Sequence, residues 1–194
     1  AAPFKDVYFT GMVRDKQGRK MSKQLGNSPD LLELIDKYGA DAVRWTFYVG
    51  DPWQVKRYSE EIPKESLRAI FIPLWNCYSF FVTYANLDKW TPINGLKTGK
   101  SPSELDRWIL SALSQMIEEV TDALENYDVS VASTSISNFI DLMSNWYIRR
   151  SRRRFWKTED DQDKQFAYST LFQVLNTLVK VLSPFAPFVT EEMY

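Results

Sequence analysis

Two lysines three residues apart, Lys20 and Lys23, flank Ser22 in the stretch Arg19-Lys20-Met21-Ser22-Lys23-Gln24. Gly18 and Gly26 bracket this stretch, and five of the residues between Arg14 and Ser28 are Lys or Arg. Ammonium groups on such a loop can close over a polyanion. As compact point charges they can follow a phosphate while its charge shifts. If the leaving group is pyrophosphate, donors aimed at the growing charge lower the barrier by about 3 kcal/mol each. The plainer alternative is a solvated basic turn.

A second set of cations, Arg149, Arg150, Arg152, Arg153, Arg154 and Lys157, crowds the end of one helical stretch, interleaved with Trp146, Phe155 and Trp156. Arginine pairs bidentately with phosphate and stacks on bases, and tryptophan offers a stacking face. At 100° per residue, Arg149, Arg153 and Lys157 share one stripe and Arg150 and Arg154 an adjacent one, while Arg152 points elsewhere. The competing structural reading pairs these cations with Glu159, Asp160, Asp161 and Asp163. Trp146 and Trp156 are expected to fill the core.

Much chemistry is excluded. The 194 residues contain no His, so serine–histidine and cysteine–histidine catalysis, histidine metal sites and histidine pH switches are absent. A single Cys, Cys77, rules out a disulfide framework or cysteine metal cluster and reads as core. The acidic run 159–163 reads as a solvated turn rather than a metal site. Lys+Arg 24 against Asp+Glu 25 gives a net charge of −1, so any nucleic-acid contact must come from a local patch. No apolar run approaches the ~20 residues of a membrane span, and the opening Ala1-Ala2-Pro3-Phe4-Lys5 does not read as a signal peptide.

The elements that must position these residues are mostly helices. With 44% hydrophobic residues, 15% aromatic, 7 Gly and 9 Pro, the chain is globular and not all-β. Residues 7–13 alternate as a strand or strand pair bent at Gly11, and the lysine loop follows. A helix begins near Asp30, capped by Ser28 or Asp30, with Glu33 completing a box three residues after Asp30, and stops at Gly39; a second covers about 40–49. Periodicity predicts an aromatic helix over 61–87, bent by Pro73, and a linker over 88–102. A helix over about 103–127 is expected to be boxed by Ser103 and Asp106. Further helices are predicted over 129–157, capped by Asp128, over 162–183, and from Phe188 onward. The expected fold is mainly α: an antiparallel helical bundle preceded by a small α/β part. Because the chain starts against a strand and ends in a helix's first turns, it reads as a piece of a longer protein.

Several of these stretches resemble a known family. Lys20-Met21-Ser22-Lys23-Gln24-Leu25-Gly26-Asn27 closely resembles the KMSKS signature of class I aminoacyl-tRNA synthetases. Asp36-Lys37-Tyr38-Gly39-Ala40-Asp41-Ala42-Val43-Arg44 resembles the continuation found in the subclass for branched aliphatic amino acids. Asn145–Trp156, Pro73-Leu74-Trp75-Asn76 and Leu182–Phe188 resemble the anticodon-binding domain of the isoleucine branch. The valine and leucine branches share the layout and stand as alternatives. A helical protein-interaction module with a basic patch is the alternative of another class. The resemblance runs from Phe4 to Tyr194.

This resemblance implies that residues 1–57 are the C-terminal part of a Rossmann-like catalytic domain, with the lysine loop and stem-contact region. Residues 58–194 would be the anticodon-binding helical domain, truncated at its C-terminus. Lys20 and Lys23 would be catalytic and, with Ser22 holding the loop, would bind the ATP phosphates, Lys23 being the closer group. Arg149, Arg150, Arg152, Arg153, Arg154 and Lys157 would contact tRNA. The implied partners are tRNA, isoleucine and ATP with Mg2+, without protein metal ligands in this chain, in a cytoplasmic, monomeric enzyme. Gln24 stands where the signature most often has serine, which puts any hydroxyl role there in doubt. The His-Ile-Gly-His signature is missing, and the amino-acid pocket and editing insertion would lie upstream, so this piece is expected to be inactive alone.

Overall fold

In a computed structural model the chain is mainly helical, with a small α/β part at its start. The structure describes residues 3–92, 98–101, 103–157 and 162–194. Part of the expected linker, 93–97, and residues 159–161 of the acidic run lie outside them.

The expected strand at 7–13 is nearly absent. Only β1 (Val13–Arg14) pairs, in parallel, with β2 (Lys56–Arg57), Val13 opposite Lys56 and Arg14 opposite Arg57. Without neighbours to bond, Val7 and Phe9 stay exposed. Gly11 does more than bend the chain. It donates to the Pro52 carbonyl at 2.8 Å, and a Cβ there would sit 2.0 Å from the Gln54 carbonyl oxygen.

Helix α1 (Leu31–Tyr38) begins at the expected Asp30 cap, but among the described residues the Glu33 carboxylate takes no bond from the Asp30 amide, so the box is half made. The Asp30 carboxylate accepts from the amides of Leu32 at 2.8 Å and Glu33 at 3.4 Å. Helix α2 (Ala40–Tyr48) follows Gly39 directly and docks against the helical part. Trp45, 1% exposed, meets Phe71 edge-on at 5.8 Å and Phe185 at 6.0 Å. The Asp41 carboxylate accepts from the Val189 amide at 2.7 Å, and Arg44 donates to the carbonyls of Pro184 and Phe185 at 3.4 Å.

The aromatic stretch is two helices, α3 (Glu61–Ser66) and α4 (Ile72–Leu87), joined by a π turn, Leu67–Phe71. Pro73 lacks an amide hydrogen and crowds the carbonyl four residues earlier, and the wider turn just before it absorbs that misfit. Next come α5 (Glu104–Glu125), α6 (Val129–Asp141), a second π turn (Leu142–Ile148), α7 (Arg149–Trp156), α8 (Gln162–Leu182) and α9 (Pro187–Met193). The Asp128 carboxylate caps α6, accepting from Val131 at 3.0 Å. The core is continuous across the helices, with Leu74, Ile109, Ile136, Ile140, Leu171 and Leu178 each fully buried. Among the described residues no helix is long and apolar enough to cross a membrane.

The capping box expected from Ser103 and Asp106 does not form. Ser103 precedes α5 without a side-chain cap, and Asp106 turns inward, 0% exposed. There it accepts from Ser101 at 2.6 Å, from the Tyr147 hydroxyl at 2.9 Å, and from Arg154 through two parallel bonds of 2.6 and 2.8 Å. Arg154 also donates to the Asp163 carboxylate at 2.9 Å. Four bonds from three side chains make a buried carboxylate tolerable, whereas a surface cap would have needed only one. Burial and the Asp106 charge push the Tyr147 hydroxyl well above its usual pKa, so it remains a donor.

Removing only the cation would leave Asp106 buried and underbonded. We expect Arg154→Ala to cost about 3–5 kcal/mol of stability, and the paired replacement Asp106→Leu with Arg154→Met to cost much less. Urea unfolding of the chain and both variants measures this.

Candidate functional site: a stapled lysine loop and an arginine face

The lysine loop has a defined shape. Lys20 forms an antiparallel bridge to Arg14, and Lys23–Leu25 make a single 3-10 turn. Ser22 caps that turn, its hydroxyl accepting from the Gln24 amide at 3.2 Å. Gly26 closes it in the left-handed region (φ 62°) and donates to the Lys23 carbonyl at 3.2 Å. Ser22 therefore supports the loop as expected. Gln24 contributes its backbone amide to the cap, a group that every residue but proline carries. Lys20 and Lys23 are exposed, and among the described residues neither pairs with a carboxylate.

Two residues that the sequence reading passed over hold the loop. The Asn27 side chain accepts from the Ser22 amide at 2.8 Å and donates to the Lys20 carbonyl at 3.1 Å and to Asp15 at 2.9 Å. Asp15, 5% exposed, also accepts from the Arg19 amide at 2.7 Å and its guanidinium at 2.9 Å. The Asn27 bond, with the Arg19 groups, outweighs burial and holds the Asp15 carboxyl down to about 2. The only sequence signal was an Asp and an Asn at the two ends of a glycine-bracketed basic loop, which turn residues also satisfy.

The arginine cluster divides. Arg149, Arg150, Arg152 and Arg153 are exposed, and among the described residues none has a carboxylate partner. Arg154 is the exception. Its side chain is 13% exposed and committed to Asp106 and Asp163, so it faces inward rather than toward a ligand. Burial opposes its charge, and the bonds and charge of Asp106, with Asp163, override that and raise its pKa. Lys157 lies 3.5 Å from Asp163. The pairing of these cations with the acidic run is thus real at Asp163, while Glu159, Asp160 and Asp161 lie outside the described residues.

The tryptophans correct the expectation of core packing. Trp146 is 46% exposed, Trp156 is 52% exposed, and the Arg150 guanidinium lies 3.7 Å from the Trp146 ring centre. Within α7, Ser151 and Phe155 take the inward positions, so Arg149, Arg152, Arg153 and Trp156 share the outward face. Cys77 is core as expected, and burial pushes its thiol up to about 11. Among the described residues no three His, Cys, Asp or Glu side chains gather as metal ligands would.

Comparison with known proteins gives both parts a context. Residues 1–58 match tRNA synthetases class I (I, L, M and V), and residues 106–194 match the anticodon-binding domain of tRNA ligase. Over 98% of its length the chain is homologous to isoleucine--tRNA ligases, at 50% identity in Dehalococcoides mccartyi and 42% in Thermus thermophilus. The chain spans about a fifth of the length of these curated relatives, 19% and 18%. Among solved structures it resembles the Agrobacterium radiobacter K84 agnB2 LeuRS in a ternary complex with tRNA and LeuAMS. The TM-score is 0.72 at 25% identity, covering 96% of this chain and 22% of that one. Mycobacterium tuberculosis methionyl-tRNA synthetase shares the fold at TM-score 0.75 and 21% identity, covering 95% of this chain and 36% of that one.

The Asp15 environment makes a pH prediction. A depressed carboxyl pKa means the loop ties are at full strength above about 3.9, the free-aspartate value, and are lost as pH falls through about 2. The Asp15 carboxyl carbon, followed by NMR, should titrate near 2. Asn27→Ala should move that midpoint upward.

Proposed function

We propose that this chain, homologous throughout to isoleucine--tRNA ligases, is the part of such an enzyme that supplies the ATP-phosphate lysine loop and a tRNA-binding helical domain. The observation that carries this reading is the capped, stapled loop with two exposed lysines, followed by a helix that turns four arginines outward. The isoleucine assignment rests on relatives at 42–50% identity.

Lys20 and Lys23 offer their ammonium groups to the phosphates of ATP while the amino-acid carboxylate attacks the α-phosphate. Charge then builds on the departing pyrophosphate, and an ammonium already in position stabilises it without reorganising. Ser22 acts through the backbone, fixing the turn on which Lys23 sits. Mg2+ would arrive with ATP and spread the triphosphate charge further. Arg149, Arg150, Arg152 and Arg153 would meet RNA phosphates, with Trp146 and Trp156 giving flat faces for unpaired bases. We divide the chain at about residue 57, the loop-bearing end of a catalytic domain before it and the helical tRNA-binding domain after it. Asp41, Arg44 and Trp45 hold α2 across that division. The enzyme is read as monomeric and cytoplasmic.

In the full-length parent, Lys23→Ala should slow adenylate formation roughly 30- to 1,000-fold, equivalent to about 2–4 kcal/mol. Isoleucine affinity should be nearly unchanged, because the lost interaction exists mainly in the transition state. Lys23→Arg should rescue poorly, since a planar fork cannot follow a moving phosphate as an ammonium does. Single-turnover kinetics measures this. An unchanged rate would leave the loop a solvated basic turn.

A further inference from the structure

The lysines can act on developing charge only if the backbone that carries them is already in place. Three hydrogen bonds from one side chain do most of that placing. The Asn27 amide reaches both sides of Met21, accepting from the Ser22 amide at 2.8 Å and donating to the Lys20 carbonyl at 3.1 Å. Its remaining amide hydrogen goes to the Asp15 carboxylate at 2.9 Å. Asp15 is fastened in turn to its own corner. Its backbone amide donates to the Arg19 carbonyl at 3.0 Å, and its carboxylate accepts from the Arg19 amide at 2.7 Å. A chain of bonds therefore runs from the end of β1 through Asp15 and Asn27 to the two peptide units that flank Met21, between the lysines.

The chemistry of these three partners admits asparagine and little else. Ser22 presents only a donor, while the Lys20 carbonyl and the Asp15 carboxylate present only acceptors. Aspartate at 27 has nearly the same shape, but it would set a carboxylate against Asp15 and the Lys20 carbonyl. Alanine would release all three contacts. Asn27 and Asp15 are assigned no phosphate contact, and Lys20 and Ser22 meet Asn27 only through their backbone, so the effect is indirect.

We propose that Asn27, anchored by Asp15, is a positioning residue that holds the stretch carrying Lys20 and Lys23 in one backbone shape. The inference rests on the reading of those lysines as phosphate ligands. Misplacing a reacting group by about 1 Å costs on the order of 100-fold in rate, and the loop's disorder would have to be overcome at each turnover.

The test uses the full-length parent enzyme with Asn27→Ala, Asn27→Asp, Asp15→Asn paired with Asn27→Asp, and Lys23→Ala as reference. Isoleucine-dependent ATP–pyrophosphate exchange gives kcat and KM, and amide hydrogen exchange over 20–26 reports the loop itself. Asn27→Ala should lower kcat about 10- to 100-fold with little change in KM for isoleucine, and should speed amide exchange in the loop. Asn27→Asp should be at least as damaging despite its matching shape. The double variant, which restores a donor facing an acceptor, should recover part of the loss. A merely space-filling role would give a harmless Asn27→Asp and no rescue, which would overturn the proposal. So would faster loop exchange with kcat unchanged while Lys23→Ala is impaired. An unimpaired Lys23→Ala would instead overturn the lysine reading on which the proposal rests.

Discussion

A carboxylate with no exposed surface must be answered by charge and hydrogen bonds, and the way Asp106 is answered governs the helical domain. Its four bonds come from Ser101 before α5, from Tyr147 in the π turn and from Arg154 on α7. Asp163, at the start of α8, takes the other side of the same guanidinium. Four segments are therefore tied at one point. Because such a network costs far more half-satisfied than complete, it admits one relative placement of these helices. The π turn before α7 belongs to the same constraint. It buries Tyr147 beside Asp106 and leaves Trp146 outside under Arg150. With Arg154 committed inward, helical geometry sends Arg149, Arg152 and Arg153 outward.

The lysine loop follows the same logic on a smaller scale. Asp15 is again a nearly buried acid whose partners fix the chain around it, and it lies far along the sequence from Asp106. Helix α2 joins the two parts. Asp41 answers the amide end of α9, Arg44 answers carbonyls in the turn between α8 and α9, and Trp45 fills the space between. Polar contacts at helix ends are directional, so they orient α2 as well as attach it.

Helix positions were legible because periodicity and the Asp30 and Asp128 caps are local signals that tertiary structure kept. The lysine pair, its serine and the basic cluster were legible as residue types at a spacing. Asp106 was misread because a Ser and an acid three residues apart look the same whether the acid caps its own helix or pairs with an arginine 48 positions away. The same distant pairing removed Arg154 from the outward set. Trp146 and Trp156 were expected inside on hydrophobicity alone, whereas the π turn and the position of Phe155 decide which rings face in. The strand at 7–13 was read from alternation, but a strand forms only where another lies beside it. Asn27 and Asp15 escaped notice because their bonds depend on the loop's three-dimensional closure.

One basic block is divided, with Arg154 inside and the other four arginines on the surface, where the proposed function has them meet tRNA. Salt dependence of tRNA binding by the full-length parent tests this most directly, comparing Arg153→Gln with Arg154→Gln at a temperature where both remain folded. Each lost phosphate contact flattens the plot of log affinity against log salt by about 0.7–0.9. Arg153→Gln should show that flattening, and Arg154→Gln an unchanged slope with lowered stability. A flattened slope for Arg154→Gln and none for Arg153→Gln would contradict it.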